Sequence, residues 1–166
     1  AILINLDEEE VIYEKNADRV QIMASLTKIM TVHVALQHID NIKDTVKITE
    51  KDWQNIEGMT VSKPNLQVGE KVTYEDLLYW TILYSAADTA QALGNNIGGT
   101  TENFVNMMNK EAKRLKMNNT HFEDTFGGHD DNIGTARELG ILLTEALKDK
   151  RFEKIFKTTV YKSTNN

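Results

Sequence analysis

Residues 21–36, QIMASLTKIMTVHVAL, carry the decision about the fold. From Ser25 onward Leu26, Ile29, Met30, His33, Val34 and Leu36 recur at helical spacing, a broad apolar stripe that runs to about Ile39. The spacing predicts a helix that starts at Ser25. Other helices of this chain start in the usual way, with a threonine and an acid three residues later: Thr49 with Asp52, Thr73 with Asp76, Thr135 with Glu138. The acid suits the partial positive charge on the exposed N–H groups of a first turn. At Ser25 the same spacing holds Lys28, a cation where the helix end is already positive. That choice costs a few tenths to about one kcal/mol, so it calls for a function.

Residues three apart on a helix lie about 5–6 Å apart at Cβ, so the Lys28 ammonium reaches the Ser25 hydroxyl. Burial and the positive helix end both favour the neutral amine, which makes Lys28 a general base near neutral pH and Ser25 an activated nucleophile. The backbone N–H of Ser25 is then placed to meet a developing oxyanion, as acyl transfer requires. S-x-x-K by itself is a common pattern, and it also reads as a capping serine beside a solvated lysine.

Upstream, ILINL, the acidic turn DEEE and VIYEK predict a hairpin, with Ile2, Ile4 and Leu6 on one face and Val11 and Tyr13 in the partner strand. Downstream, helices are expected at about 50–57, 74–84, 87–97, 101–116 and 135–148. Loop and short strand fill 58–72 around Pro64, and TTVYKS regains β character near the end. The class is α/β of the α+β kind: an antiparallel sheet interrupted by a helical lobe. One partial domain spans 1–166, with 1–24 and 157–166 as its sheet part and 25–156 as the lobe.

With 166 residues and 40% hydrophobic content the chain can bury one core, and no apolar run is long enough to cross a bilayer. A net charge of -6, with acids and bases intermixed, argues against a nucleic-acid partner. The absence of cysteine excludes disulfides, thiolate metal sites and a cysteine nucleophile. His33 and His38 lie five apart on one helix and do not share a face, and His121 and His129 lack zinc spacing, so no metal is expected. GNNIGG follows a helix, not a strand, which speaks against a phosphate loop, and no cofactor is expected. Trp53, Tyr79, Trp80 and Tyr84 fit core or cleft walls, Met107, Met108 and Met117 fit packing, and Asp88 fits a structural role at a helix start. The chain opens inside a strand-like alternation without an initiator methionine, so a leader and some mature sequence are expected ahead of it.

YEKNADRVQIMASLTKIMT (13–31) closely resembles the nucleophile segment of the serine D-alanyl-D-alanine carboxypeptidases, the low-molecular-weight penicillin-binding proteins. LQVGEKVTYEDLLYWTILYSAADTAQALGNNIGG (66–99) is similar to the segment carrying that family's second motif. DTFGGHDDNIGTARELGILLTEAL (124–147) looks like its G-x-H/D…S/T-A-R-D helix. The resemblance covers essentially the whole chain in order. It implies a β-lactamase/transpeptidase-like fold, incomplete at the C-terminus, and a peptidase that trims peptidoglycan stem peptides through an acyl-enzyme and is inhibited by β-lactam antibiotics. It implies Ser25 as nucleophile, Lys28 as base and Ser85 as a proton relay. It also implies export to the bacterial cell envelope and peripheral membrane association through a segment outside this chain.

Two departures stand out. Where the family has the asparagine of S-x-N, this chain has Ala87, which removes an amide from the site and, by the usual worth of a hydrogen bond, a few kcal/mol of substrate or transition-state binding. The family's K-T-G motif is not found, since Lys157–Thr159 comes too early and carries a side chain where a glycine is needed. These departures sustain a rival expectation, a non-catalytic relative that keeps the fold as a binding or scaffold module. A class A β-lactamase would need S-D-N and a deacylating glutamate, which SAAD and FGGHDD do not supply.

Overall fold

The computed structural model describes residues 1–166 except Glu9, Asn55, Glu57, Asn65, Asn165 and Asn166. Strands β1 (Ile2–Asn5) and β2 (Glu10–Glu14) form the expected antiparallel hairpin, with Leu3 opposite Tyr13 and a register shift between Leu3 and Ile4. Its Ile2, Ile4 and Leu6 face helix α5 (Ala136–Ala146), where Gly140 makes room: a Cβ there would sit 2.8 Å from Ile4 Cδ1. Arg137, at the start of α5, ties the hairpin down. It donates to Glu14 at 2.8 Å and Asp18 at 2.7 Å, and its backbone N–H meets the Ala17 carbonyl.

Helix α1 (Thr27–His38) is the centre of the lobe. Every residue from Thr27 to Leu36 is buried, because α2 (Tyr74–Leu83), α3 (Ala87–Gly98), α4 (Thr101–Arg114), α5 and α6 (Lys150–Lys157) surround it. A helix enclosed on all sides has no polar face, so the stripe seen in the sequence is only part of its buried surface. Leu26, counted in that stripe, lies before the helix and is exposed. Two polar residues inside α1 find partners: His33 meets Glu111 at 2.8 Å, and Thr31 donates to the Thr125 carbonyl at 2.6 Å.

The threonine caps form as expected. Thr73 and Thr135 accept from the N–H groups of Asp76 and Glu138, and Thr49 with Asp52 makes a reciprocal box. The box opens only a short 3-10 turn, Glu50–Trp53, in place of the helix expected over 50–57; positions 55 and 57 of that expectation lie outside the described residues. Two further antiparallel pairs appear, β3 (Gln21–Ile22) with β6 (Ile133–Gly134) and β4 (Thr45–Lys47) with β5 (Lys71–Thr73). The described strands therefore form three separate two-stranded ribbons and no larger sheet.

The sheet expected over 157–166 does not form over 157–164; positions 165 and 166 of that expectation lie outside the described residues. Lys157 ends α6, and residues 158–164 contain no strand, Tyr161 and Thr164 being engaged by α2 instead. Tyr161 stacks on Tyr79 with ring centres 3.9 Å apart and donates to Asp76 at 2.8 Å, and the Thr164 N–H donates to the same carboxylate at 2.9 Å. Helix α6 itself lay outside the expected elements. It is capped by Asp149, buries Phe152 and Ile155, and its Arg151 caps the C-terminal end of α1 through the Leu36 and Ile39 carbonyls, both at 2.7 Å.

Candidate functional site

Ser25 is not a helix cap. It sits in a 3-10 turn, Ala24–Leu26, one residue short of α1, whose start receives no side-chain cap at all. The serine hydroxyl is thereby released from the backbone and turned to two other groups. Lys28 Nζ donates to its Oγ at 3.3 Å, and Ser85 Oγ donates to it at 2.9 Å. The three residues singled out in the sequence meet at one point, although Ser85 comes from the α2–α3 loop, 60 positions away.

Two of the backbone turns at this point are strained. Ala24 has φ +45° and Ser85 φ +55°, the left-handed region that side chains with a Cβ avoid at a cost of about 1–3 kcal/mol each. Behind them lies the loop 123–132. Gly127 there has φ +85°, and a Cβ on it would lie 1.8 Å from the Ala24 carbonyl oxygen, so only glycine lets the loop pass against the turn that holds Ser25. The loop also supplies Lys28 with its shortest contact, the Phe126 carbonyl at 2.6 Å.

The pair combines an exposed hydroxyl with a buried amine. Ser25 faces a cleft of about 460 Å³ walled by Met23, Leu26, Ile82 and Phe156, whereas Lys28 is only 4% exposed. Burial pushes the Lys28 amine from the ordinary 10.5 down to about 8, and the charge of Asp124 opposes part of that fall. An amine near 8 is neutral in a useful fraction of molecules at neutral pH and can take a proton from Ser25.

Ala87, at the first position of α3, is 1% exposed and packs with Ile56, Ala90 and Phe126, while its N–H donates to the Ser62 carbonyl at 2.9 Å. An apolar contact occupies the place where the resemblance led us to look for an amide. Next to it Asp88 is buried, with one oxygen accepting from the Thr89 N–H and the other without a hydrogen bond among the described residues. Burial raises its carboxyl from 3.8 to about 6. Lys157, the start of the K-T-T stretch, pairs with Glu153 on its own helix. The histidines are spread: His33 is held by Glu111, His121 by Glu123, and His129 lies beside Asp131. Phe126, Gly127 and Asp124 were missed as site residues by reasoning from the sequence. Their one signal was the Gly-Gly pair in DTFGGHDDN, a mark of close backbone approach.

A family model described as D-alanyl-D-alanine carboxypeptidase matches residues 1–166. The chain is 33% identical to D-alanyl-D-alanine carboxypeptidase DacF of Bacillus subtilis over 96% of its own length and 40% of that protein. Among solved structures it is similar to the Streptomyces K15 DD-transpeptidase, at 32% identity and a TM-score of 0.88, over 95% of this chain and 63% of that one. It is also similar to the D-alanyl-D-alanine carboxypeptidase DacD from Francisella tularensis, at 28% identity and a TM-score of 0.86, over 93% of this chain and 38% of that one. The chain spans about half the length of the curated relatives it matches.

Proposed function

This chain belongs to the D-alanyl-D-alanine carboxypeptidase family, and from that premise we propose that it carries the acylating centre of a serine peptidase that removes the terminal D-alanine from peptidoglycan stem peptides. In this reading neutral Lys28 takes the hydroxyl proton of Ser25 while Oγ attacks the carbonyl between the two D-alanines. The resulting oxyanion meets the Ser25 backbone N–H. The C–N bond then breaks, the proton passes by way of Lys28 and Ser85 to the departing amine, and water hydrolyses the remaining ester. A β-lactam enters the same first step through its strained amide.

The observation that carries this reading is the position of Ser25 Oγ, in contact with both Lys28 Nζ and Ser85 Oγ at the floor of an open cleft. A binding or scaffold module is the rival, and Ala87 favours it. Against it stands the amine: holding Lys28 buried with its pKa near 8 costs about 3 kcal/mol at neutral pH, for which a module has no use. The substrate lies in the cell wall, so the reading places the protein outside the cytoplasm. No helix of the described residues is long and apolar enough to span a membrane.

The test is covalent. Fluorescent penicillin is incubated with the folded protein and with Ser25→Ala, both are denatured, and the label is read on a gel. Label on the wild type that is lost in the variant is expected. A folded wild type that stays unlabelled, or a variant that labels equally well, refutes the assignment.

A further inference from the structure

The loop 123–132 is wound around one carboxylate. Asp124 Oδ1 accepts from the backbone N–H groups of Phe126 at 2.8 Å and Gly127 at 2.5 Å, and Oδ2 accepts from Gly128 at 2.8 Å and His129 at 2.7 Å. Asn132 closes the same loop, its Oδ1 accepting from the Glu123 and Asp124 N–H groups and its Nδ2 donating to the His129 carbonyl. Successive N–H groups turned to one side make a seat for an anion, and here the protein fills the seat with its own side chain. With those N–H groups drawn inward, carbonyls of the loop are left for α1. The Thr125 oxygen receives Thr31 Oγ1, and the Phe126 oxygen receives Lys28 Nζ, both at 2.6 Å.

We propose that Asp124 is a positioning residue for the Ser25–Lys28 pair: by gathering residues 126–129 on its carboxylate it presents the Phe126 carbonyl to Lys28, backs Ala24 with Gly127, and keeps a negative charge beside the amine. It touches no substrate in this role. The proposal rests on the reading of Lys28 as the base, but its test does not depend on acylation.

The groups that face Lys28 are the Ser25 hydroxyl from its own preceding turn, the Phe126 carbonyl and the Asp124 charge from the loop. Ser85 reaches it through Ser25 from the α2–α3 loop. Among the described residues Asp124 is the charge that acts on it, and it acts against burial. The two possible roles of Asp124 therefore move Lys28 in opposite directions. If the residue only stiffened the loop, its loss would admit water to the amine and send the titration up towards that of an ordinary lysine. If its charge belongs to the setting of the amine, the loss leaves burial unopposed and sends the titration down.

The experiment follows the Cε carbon of Lys28 by NMR through a pH titration. In Asp124→Asn, which keeps the shape and one accepting oxygen, the midpoint is expected to fall by about one pH unit from its value near 8. Asp124→Glu, which keeps the charge, is expected to bring it back. An unchanged or raised midpoint in Asp124→Asn overturns the proposal. Should that variant fail to fold, the wild type decides: the Phe126 carbonyl carbon and the amides of residues 126–129 should titrate with the Lys28 midpoint, and their indifference to it overturns the proposal equally. Wild-type protein that co-titrates yet takes no penicillin label would leave the positioning intact and remove only the catalytic reading.

Discussion

The contact between Gly127 and Ala24 allows the sharpest prediction. In Gly127→Ala the added methyl would lie 1.8 Å from the Ala24 carbonyl oxygen and 2.2 Å from its carbon, at least about 1.5 Å inside ordinary contact. Neither atom belongs to a flexible side chain, so the loop or the nucleophile turn must move by that order. The positive φ adds about 1–2 kcal/mol and the overlap about 1–3 more, together roughly 2–5 kcal/mol. For a chain of this length that lowers Tm by about 4–20 °C. Because Ala24 directly precedes Ser25, a shift of about 1 Å there should slow acylation by about 100-fold. Gly99→Ala is the control: its φ is +74° but a Cβ meets nothing within 4 Å, so it loses only the conformational part and leaves acylation unchanged. Penicillin labelling rates and thermal melts of both variants check the argument. If Gly127→Ala labels within twofold of wild type and melts no lower than Gly99→Ala, the account of this contact is wrong.

Four further outcomes are expected. The acylation rate should rise about tenfold per pH unit up to about 8 and then level, as Lys28 loses its proton. Because the folded pKa lies below the unfolded 10.5, the wild type gains stability as pH rises from about 8 to 10.5. Lys28→Met should therefore abolish labelling yet stabilise the protein at pH 7 by about 3 kcal/mol, less the cost of the unpaired Phe126 carbonyl, with the advantage shrinking towards pH 10.5; destabilisation at pH 7 in denaturant melts would contradict this. For Asp88 the folded pKa is raised, so its stabilising contribution is full below 3.8 and is lost as pH rises through about 6. Asp88→Asn should accordingly raise stability at pH 7 by about 1–2 kcal/mol, and the difference should close near pH 4. Ala87→Asn should speed acylation if the missing amide limits catalysis, while lowering Tm because an amide enters the apolar contact with Ile56 and Phe126; an unchanged labelling rate would refute the role given to this position.

Local rules were enough for most elements. The threonine–acid starts at Thr73 and Thr135 led into α2 and α5 with boundaries within about two residues, since capping is a matter of neighbours in the chain. The alternation of Ile2, Ile4 and Leu6 announced the face that packs on α5. Helix α6 was missed although its Asp149 cap and the Phe152–Ile155–Phe156 spacing were in plain view in DKRFEKIF. The β character of TTVYKS misled, because Tyr161 and Thr164 find a better partner in Asp76 and Tyr79 of α2 than in a strand. The helix was expected to begin at Ser25, but the serine sits in a turn ahead of α1, packed against Gly127 more than 100 positions away.

Residue types and spacing determined that a serine and a lysine stand one turn apart at the head of a buried helix, because i and i+3 are neighbours whatever surrounds them. What surrounds that lysine was decided only by the folded chain. Its low pKa comes from burial between its own helix and the loop 123–132, its position from the Phe126 carbonyl, and the second hydroxyl from a loop 60 residues distant. Desolvation and convergence are properties of a packed interior, and no local pattern can contain them.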